Sequence, residues 1–257
     1  AVAAKVNGNL KDLDAPINEA ADFQVVTLND PDGLNCLRHS LAHLLAAAVM
    51  EIWPDTKRTI GPAIENGFYF DFEFSKPITE NDLPKIEAKM HEILPKWDRF
   101  ERHDLGAAEA KKEYPHNQFK HELIEEFSQG GKKVSFYKSG DYWDLCRGGH
   151  LSSMKKIRHD SFKLTKLAGA YWRGNEKNPM LTRIYAIAFP TKKELDEYLK
   201  QKEEAEKRDH RKIGKELDLF SFSEITPGSP FFHPKGAFMF IALQNFLREL
   251  YPSWGYH

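Results

Sequence analysis

The chain has 257 residues, and its 37 Lys and Arg against 38 Asp and Glu give a formal net charge of −1. This balance excludes nucleic-acid binding through a global positive field, so such binding would need local basic patches. With 41% hydrophobic and 29% charged residues, the composition is that of a globular protein rather than a disordered or fibrous one. No apolar run approaches a membrane span, and two cysteines make no disulfide framework. We therefore expect a cytoplasmic protein without a membrane partner.

Short strands followed by an amphipathic helix are predicted for the first part of the chain. Asn7 with the glycine after it indicates a hairpin turn, and residues 23–28 have a strand-like composition. Asp30 can cap a helix whose first position suits Pro31, and Pro54 ends that helix. The first residues contain too little material for a domain of their own.

An antiparallel sheet covered by helices is predicted for the middle of the chain. Phenylalanines at every second position of residues 68–74 indicate a strand with one buried face, after a turn at 65–67. Thr79 and Asp82 form a capping box before the next helix. The further predicted elements are helices at about 83–94 and 119–127 and strands at 134–137, 162–168 and 181–189. The fold class that this order predicts is α+β.

The last part of the chain is predicted to be a connector and the beginning of another domain. Thr191 and Glu194 form a capping box that opens a long, charge-dense helix with few apolar positions, as is typical of a connector between domains. Beyond Gly214 the composition becomes more apolar, and residues 238–250 predict a strongly apolar helix. Because little chain follows that could cover this helix, we expect an incomplete domain here.

Two pairs of reactive side chains stand out, and in each pair the members are four residues apart. His39 and His43 lie on one face of the first long helix, while Cys146 and His150 flank a glycine-containing loop. Three imidazoles and a thiol match the ligands of zinc. The alternative is a metal-free hydrolytic pocket. There one imidazole activates water, another polarises an ester, and Asp144 or Cys146 sets the tautomer and orientation of the imidazoles. A nucleophilic Cys146 and a purely structural role for all four groups remain open.

Several long motifs in order resemble those of bacterial-type threonyl-tRNA synthetases over essentially the whole chain. The matching stretches are RHSLAHLL at 38–45, IGPAIENGFY at 60–69, DLCRG at 144–148, GAYWRG at 169–174 and KRDHRKIGKEL at 207–217. Ordered motifs of this length form a far more specific signal than one short pattern.

The resemblance implies a domain layout. The implied parts are a C-terminal remnant of the β-grasp (TGS) domain at 1–29, the editing domain at 30–190, a linker helix at 191–218, and a truncated start of the class II aminoacylation domain at 219–257. The antiparallel sheet packed by helices is then the editing domain. In the full-length family enzyme, ATP, Mg and Zn bind in a catalytic core that is absent here, and the enzyme is a homodimer.

The resemblance also implies an activity, namely hydrolysis of tRNA(Thr) that has been mischarged with serine. An activation site discriminates poorly between amino acids that differ by one methyl group, which is worth only about 1–3 kcal/mol, so a second site is needed. The implied catalytic residues are His39, His43, Lys120, Asp144, Cys146 and His150. The implied substrate-binding residues are Gly61, Pro62, Phe70, Arg147 and Gly148. The expected partners are the tRNA acceptor end and serine, and no cofactor is expected for editing.

Individual roles follow as hypotheses. His39 and His43 would position or activate water and the terminal ribose, and Lys120 would stabilise developing negative charge. Cys146, Asp144 and His150 would shape and orient the pocket.

Two departures from the family and two alternative functions accompany this interpretation. The family usually has proline where Gly149 lies, so we expect a less rigid loop, and Phe70 replaces a common second tyrosine. The alternatives are a zinc-dependent trans-editing hydrolase and a non-catalytic tRNA-binding fragment.

Overall fold

The computed structural model describes residues 1–17, 20–225 and 227–256. The chain divides into two compact units, one spanning Ala1–Leu195 and the other beginning at Asp196. Helices and antiparallel sheets together confirm the predicted α+β class. Among the described residues, no helix has both the length and the apolar character needed to cross a lipid bilayer.

The first unit contains three antiparallel sheets and the helices that pack on them. Its strands are β1 (Ala3–Val6), β2 (Asn9–Lys11), β3 (Phe23–Val26), β4 (Lys57–Arg58), β5 (Ala63–Ile64), β6 (Gly67–Glu73), β7 (Glu101–Leu105), β8 (Val134–Ser139), β9 (Tyr142–Leu145), β10 (Phe162–Tyr171) and β11 (Met180–Ala188). Its helices are α1 (Pro31–Ile52), α2 (Leu83–Ile93), α3 (Ala107–Lys112) and α4 (Gln118–Phe127), and α5 (Lys192–Lys207) begins at its end. The sheet orders are β2-β1-β3, β10-β11-β6-β4 with β5 also paired to β6, and β7-β8-β9.

Packing of α1 and β6 builds the main core. The predicted alternation in β6 is confirmed, because Phe68, Phe70 and Phe72 are buried. They belong to one hydrophobic cluster with Leu41 and Leu45 of α1. Burial of this apolar area is the main stabilising term for such a layer, at about 25 cal/mol per Å². The helix that carries the two histidines is therefore held rigidly on the sheet.

The predicted ends of elements are correct where the signal is local. Asp82 accepts hydrogen bonds from the backbone N (2.8 Å) and Oγ1 (3.2 Å) of Thr79, as the capping box predicts. Asp30 does precede α1, but its carboxylate accepts hydrogen bonds from the backbone N and Oγ1 of Thr27 and makes no cap to the helix. Strand β10 extends three residues further than predicted, to Tyr171, because Gly169 and the two residues after it pair with β11.

The second unit contains elements of its own. They are the rest of α5, α6 (His210–Glu216), β12 (Phe220–Phe222), β13 (Pro230–Phe232) and α7 (Pro234–Leu250), and β12 pairs antiparallel with β13. The prediction of one continuous helix over 191–218 is wrong. Asp209 interrupts it because its carboxylate caps α6, accepting a hydrogen bond from the backbone N of Arg211 at 2.8 Å. In α7, whose residues are all described, Gly236 alone is buried.

Candidate active site

Four side chains from distant parts of the sequence meet in one buried cluster. The Nε2 atom of His39 lies 3.0 Å from the Sγ atom of Cys146, and the same sulfur lies 3.4 Å from the Nε2 atom of His150. His43 completes the group, and one potential ligand atom from each residue lies within 4.8 Å of the others. We refer to these four residues as the imidazole–thiol cluster. The sequence pairing at spacings of four is therefore a spatial grouping as well.

The loop after β9 is fitted to α1 by main-chain contacts. Gly148 and Gly149 have φ values of +97° and +84°, which side-chain-bearing residues rarely adopt. The backbone N of Gly148 donates to Cys146 Sγ at 3.4 Å, and the backbone N of Leu151 donates to Ser40 Oγ on α1 at 2.9 Å. The glycines thus allow the chain to turn so that the thiol and the third imidazole both face the helix.

Stacked rings hold His150 in place. Its ring lies 4.1 Å from that of Phe100 and 4.7 Å from that of His39, both in stacked geometry. Tyr137 contacts it from another side, with ring centroids 4.4 Å apart. His150 is 1% exposed, and within the described residues neither its Nδ1 atom nor that of His43 has a hydrogen-bond partner. The cluster therefore contains nitrogens that are free to accept or donate a proton.

Burial keeps the cluster uncharged at neutral pH. Desolvation lowers the pKa of His39, and it lowers the pKa of His43 and His150 much further, helped by neighbouring imidazoles. Desolvation also raises the pKa of the Cys146 thiol to about 12. Neutral imidazoles can act as bases, whereas a protonated thiol is a poor nucleophile. This charge state argues against Cys146 as the attacking group.

A second group of side chains surrounds the carboxylate of Asp144. Its Oδ1 atom lies 2.8 Å from Lys120 Nζ and 3.1 Å from Arg58 Nε, and it accepts a hydrogen bond from Tyr114 Oη at 2.6 Å. The other carboxylate oxygen accepts from Tyr142 Oη at 2.9 Å. We call these five residues the Asp144 network. Asp144 and Lys120 are only 1% and 2% exposed, so the network is a buried ion pair with extra hydrogen bonds.

The counter-charges decide the ionisation of this network. Burial raises the pKa of Asp144, but Lys120 and Arg58 outweigh it and hold that pKa below its usual value. Burial lowers the pKa of Lys120, and Asp144 opposes this change. Burial, and then the adjacent carboxylate, raise the pKa of Tyr114 and Tyr142 well above the usual value, so both phenols stay protonated donors.

A helix cap places Lys120. Asn117 precedes α4, and its Oδ1 atom accepts a hydrogen bond from the backbone N of Lys120 at 3.2 Å. Its Nδ2 atom donates to the backbone carbonyl of Arg58 at 2.8 Å. One asparagine thus joins the start of α4 to the end of β4, which carry the two cations around Asp144.

A cavity of about 330 Å³ opens beside both groups. Its lining includes His39, His43, Thr59, Ile60, Gly61, Pro62, Phe70, Lys120, Leu123, Phe127, Asp144, Leu145, Cys146 and Arg147. A side chain on Gly61 would meet the Phe70 ring at 2.2 Å, so the glycine lets that ring approach the cavity. His150 and Gly148 are outside this lining, and Gly148 lines a neighbouring cleft instead.

The structure thus places ten of the eleven predicted site residues at the cavity or in the groups that flank it. Gly148 is the eleventh, and it contributes the turn of the loop. Sequence reasoning missed Arg58, Tyr114 and Tyr142, which complete the network around Asp144, as well as Phe100 beneath His150. No local pattern marks Arg58, Tyr114 and Phe100, because they reach the site through long-range packing. Tyr142 lies two residues before Asp144 on β9, so this spacing was a signal that could have found it.

The cluster has the donor types and compactness that zinc requires. Tetrahedral bonds of about 2.0–2.3 Å separate ligand atoms by roughly 3.3–3.8 Å. The two measured separations to Cys146 Sγ, 3.0 and 3.4 Å, lie near this range. If all four side chains bound one ion, its coordination would be closed, as in structural sites, whereas a catalytic zinc keeps one position for water.

One segment of the chain matches a known protein family. Residues 134–185 match the family described as the threonyl and alanyl tRNA synthetase second additional domain. This segment runs from β8 to β11 and contains Asp144, Cys146 and His150. This segment is therefore similar to a domain of the aminoacyl-tRNA synthetases, the class of protein that the family description names.

Relatives narrow the class further. The whole chain aligns with threonine–tRNA ligases of Rubrobacter xylanophilus (46% identity), Citrifermentans bemidjiense (48%) and Thermotoga petrophila (48%). In each case all of this chain but only 40% of the relative is covered. The chain belongs to the threonyl-tRNA synthetase family and spans about two-fifths of the length of these relatives. This match confirms the resemblance in the motifs.

Proposed function

We propose that this chain carries the editing activity of threonyl-tRNA synthetase and hydrolyses the ester bond of seryl-tRNA(Thr). The observation that carries this proposal is the meeting of the imidazole–thiol cluster and Lys120 at one cavity. Neutral bases, a buried cation and a cavity are the parts that ester hydrolysis by an activated water needs. The family match supplies the acceptor end of tRNA as the expected substrate.

In the proposed reaction a water molecule attacks the ester carbonyl carbon. His39 or His43, both neutral and both lining the cavity, accepts the water proton as the new C–O bond forms. The negative charge that develops on the carbonyl oxygen is stabilised by the ammonium of Lys120. The tetrahedral intermediate collapses, the bond to the ribose oxygen breaks, and the imidazolium returns a proton to that oxygen. The products are serine and a free tRNA end.

The other residues serve to hold this arrangement. The Asp144 carboxylate fixes the Lys120 ammonium, and the protonated Cys146 thiol contacts both His39 and His150. His150 lies behind the cavity lining, which suits an orienting role. Phe70 and Gly61 narrow the cavity on its other side, where an extra methyl group would have to fit. A contact of this kind supplies roughly 10–200-fold selectivity between serine and threonine.

The RNA would reach the cavity past Arg147, an exposed residue that lines the cavity. The guanidinium of Arg147 lies 3.8 Å from the centre of the Phe127 ring, so a cation and an aromatic ring stand together. Such pairs suit the phosphate and the stacked bases of a single-stranded RNA end.

The layout implied by the resemblance belongs to the same proposal. We assign 1–29 to the end of a β-grasp domain, 30–190 to the editing domain, 191–218 to the linker, and 219–257 to the start of a class II domain. For the whole protein we propose charging of tRNA(Thr) with threonine, with ATP, Mg and Zn outside this segment, in a cytoplasmic homodimer.

The deciding experiment measures release of amino acid from seryl-tRNA(Thr) and from threonyl-tRNA(Thr) by the purified chain. We expect hydrolysis of the seryl ester to be at least about tenfold faster. The variant His43→Ala should lose about 100-fold or more of the activity, as is typical when a general base is removed. The exposed histidine variant His116→Ala is the matched control and should retain full activity.

Two results would contradict the proposal. Equal activity of His43→Ala and the unchanged chain would remove the base from the mechanism. Binding of tRNA with ordinary salt dependence but without hydrolysis would instead indicate a non-catalytic tRNA-binding segment.

A zinc-dependent trans-editing hydrolase is the second candidate, and the compactness of the four ligand atoms favours it. In this candidate, three of the four cluster residues would hold the ion and leave one position open, and the bound ion would supply Lewis-acid chemistry towards the ester. One equivalent of zinc in the purified chain, with activity lost to a chelator and restored by zinc, would establish this candidate. Full activity in a chelator-treated, zinc-free chain would exclude it.

A further inference from the structure

The turn that follows strand β2 lies against the loop that carries His150. Asp12 is the residue of this turn that contacts the loop directly. Its Oδ1 atom accepts a hydrogen bond from the backbone N of His150 at 3.3 Å, and its Oδ2 atom accepts one from Tyr137 Oη at 2.9 Å. The carboxylate therefore joins the main chain of His150 to a side chain that contacts its ring. Asp12 and His150 are 138 positions apart in the sequence.

The surroundings of this carboxylate are shaped for the contact. A Cβ atom on Gly148 would lie 2.6 Å from Tyr137 Oη and 3.5 Å from Asp12 Oδ2, so only a residue without a side chain leaves room. Leu10 packs on the same loop, with its Cδ2 atom 3.8 Å from the place of a Cβ atom on Gly149. A cleft of about 780 Å³ adjoins these residues on the solvent side.

We propose that Asp12 is a positioning residue of the editing site, although it lies outside the region that resembles the editing domain. It fixes His150 in two ways, through the main chain and through the phenol of Tyr137. His150 in turn contacts the Cys146 sulfur and stacks on His39, which lines the cavity. This inference rests on the proposed function, because it concerns the precision of the same site.

Loop geometry explains why an anchor is needed. Gly148 and Gly149 are consecutive glycines, and glycine loses more conformational freedom on folding than any other residue. After them, the next anchor to α1 is the hydrogen bond between Leu151 and Ser40. Without the Asp12 carboxylate, the backbone N of His150 would lose its hydrogen bond, and the next main-chain anchors would be those of Leu151 to Ser40 and of Ser152 to the carbonyl of Val2. A displacement of about 1 Å in a catalytic arrangement can lower a rate by up to roughly 100-fold.

The test compares Asp12→Ala with Asp14→Ala in the full chain. Asp14 is an exposed aspartate of the same turn, so its variant removes the same charge without removing a contact to the loop. We expect Asp12→Ala to lower kcat for seryl-tRNA hydrolysis about tenfold or more, with KM changed less than about twofold, as for other residues that orient catalytic groups. Asp14→Ala should match the unchanged chain in both constants.

Two further variants separate positioning from folding. Asp12→Asn retains one acceptor oxygen and should recover part of the lost kcat. Tyr137→Phe removes only the hydroxyl group that Asp12 accepts. Because both residues act on His150, the loss of kcat in the double variant Asp12→Ala, Tyr137→Phe should be smaller than the sum of the two single losses. Nitrogen-15 NMR of the His150 imidazole, assigned with a His150→Gln variant, should show a shift in Asp12→Ala but not in Asp14→Ala.

The outcomes distinguish this inference from the proposed function. If the unchanged chain hydrolyses seryl-tRNA and Asp12→Ala behaves like Asp14→Ala, the positioning role is wrong and the editing proposal stands. If the unchanged chain hydrolyses nothing, the editing proposal fails, and the NMR comparison decides on Asp12 alone. An unshifted His150 resonance in Asp12→Ala would overturn the inference.

Discussion

The imidazole–thiol cluster and the Asp144 network border the same cavity, yet burial affects their charges in opposite ways. In the cluster, desolvation lowers the imidazole pKa values and raises that of Cys146, so all four groups are neutral. In the network, two cations keep Asp144 ionised although it is buried just as deeply. A buried group without a counter-charge becomes neutral, whereas one with well-placed counter-charges keeps its own.

This difference separates two tasks in the proposed site. Neutral imidazoles can gain and lose a proton during a reaction, which the fixed ions of the network cannot do as easily. The network in turn supplies a cation, Lys120, whose position is held by Asp144 and by the cap at Asn117. If the comparison is correct, removing the carboxylate of the network should cause the largest loss of stability, and removing an imidazole of the cluster should change the pH dependence of stability.

The largest expected effect is on the network. Replacing Asp144 with alanine leaves Lys120 and Arg58 buried without their counter-charge, which typically costs about 3–5 kcal/mol. We expect the free energy of unfolding, measured by urea denaturation, to fall by this amount. Asp141→Ala, at an exposed position of the neighbouring turn, should change it by less than about 0.5 kcal/mol. A loss below about 1 kcal/mol for Asp144→Ala would mean that the ion pair is not buried as described.

The pH dependence of stability should separate the two groups. The imidazoles of His43 and His150 have pKa values well below 6.5 when folded, so the unfolded chain binds more protons just below that pH. Acidification below pH 6.5 therefore favours unfolding, by up to about 1.4 kcal/mol per pH unit for each imidazole. Asp144, with a lowered pKa, keeps its full contribution until the pH approaches the unfolded value of 3.8.

Urea denaturation at several pH values tests this expectation. His43→Gln should reduce the change in unfolding free energy between pH 5.5 and 6.5 by roughly 1 kcal/mol, because the unfolded imidazole is half protonated at pH 6.5 and almost fully protonated at pH 5.5. An unchanged slope in His43→Gln would show that this imidazole is not held neutral.

A further effect is expected at the loop of the cluster, at Gly149. Gly149 has a φ of +84°, whereas proline is confined to about −65°, so Gly149→Pro forces the loop into another conformation. We expect a loss of about 1–3 kcal/mol in unfolding free energy. Gly149→Ala, which only strains the same φ, should lose less. Equal or greater stability of Gly149→Pro, measured by thermal denaturation, would show that the loop tolerates a negative φ at this position.

The sequence predicted elements well where short-range interactions decide them. The alternation of phenylalanines in β6 and the capping boxes at Thr79 and Thr191 appear in the structure as expected. Those patterns depend on neighbours within a few residues, so they can be recognised without the fold. The extra length of β10 was missed because it depends on pairing with β11. The break at Asp209 was missed although its cap to Arg211 is a short-range contact, because the charged sequence on both sides continues the helical pattern.

Two apolar helices show what pattern alone leaves open. Both α1 and α7 have strongly apolar sequences, but α1 is buried along most of its length, while in α7 residues such as Phe238 remain exposed. An apolar pattern indicates that a helix face can be buried. Whether that face is buried depends on the elements that pack against it.

The sequence by itself determined which reactive groups this protein has and that they come in pairs four residues apart, because helix geometry and a short loop fix those spacings. Only the tertiary structure brought the pairs together and placed Arg58 and Tyr114, which are distant in sequence, beside Asp144. It also decided the protonation states, because desolvation and counter-charges depend on atoms that are distant in sequence and adjacent only in the folded chain.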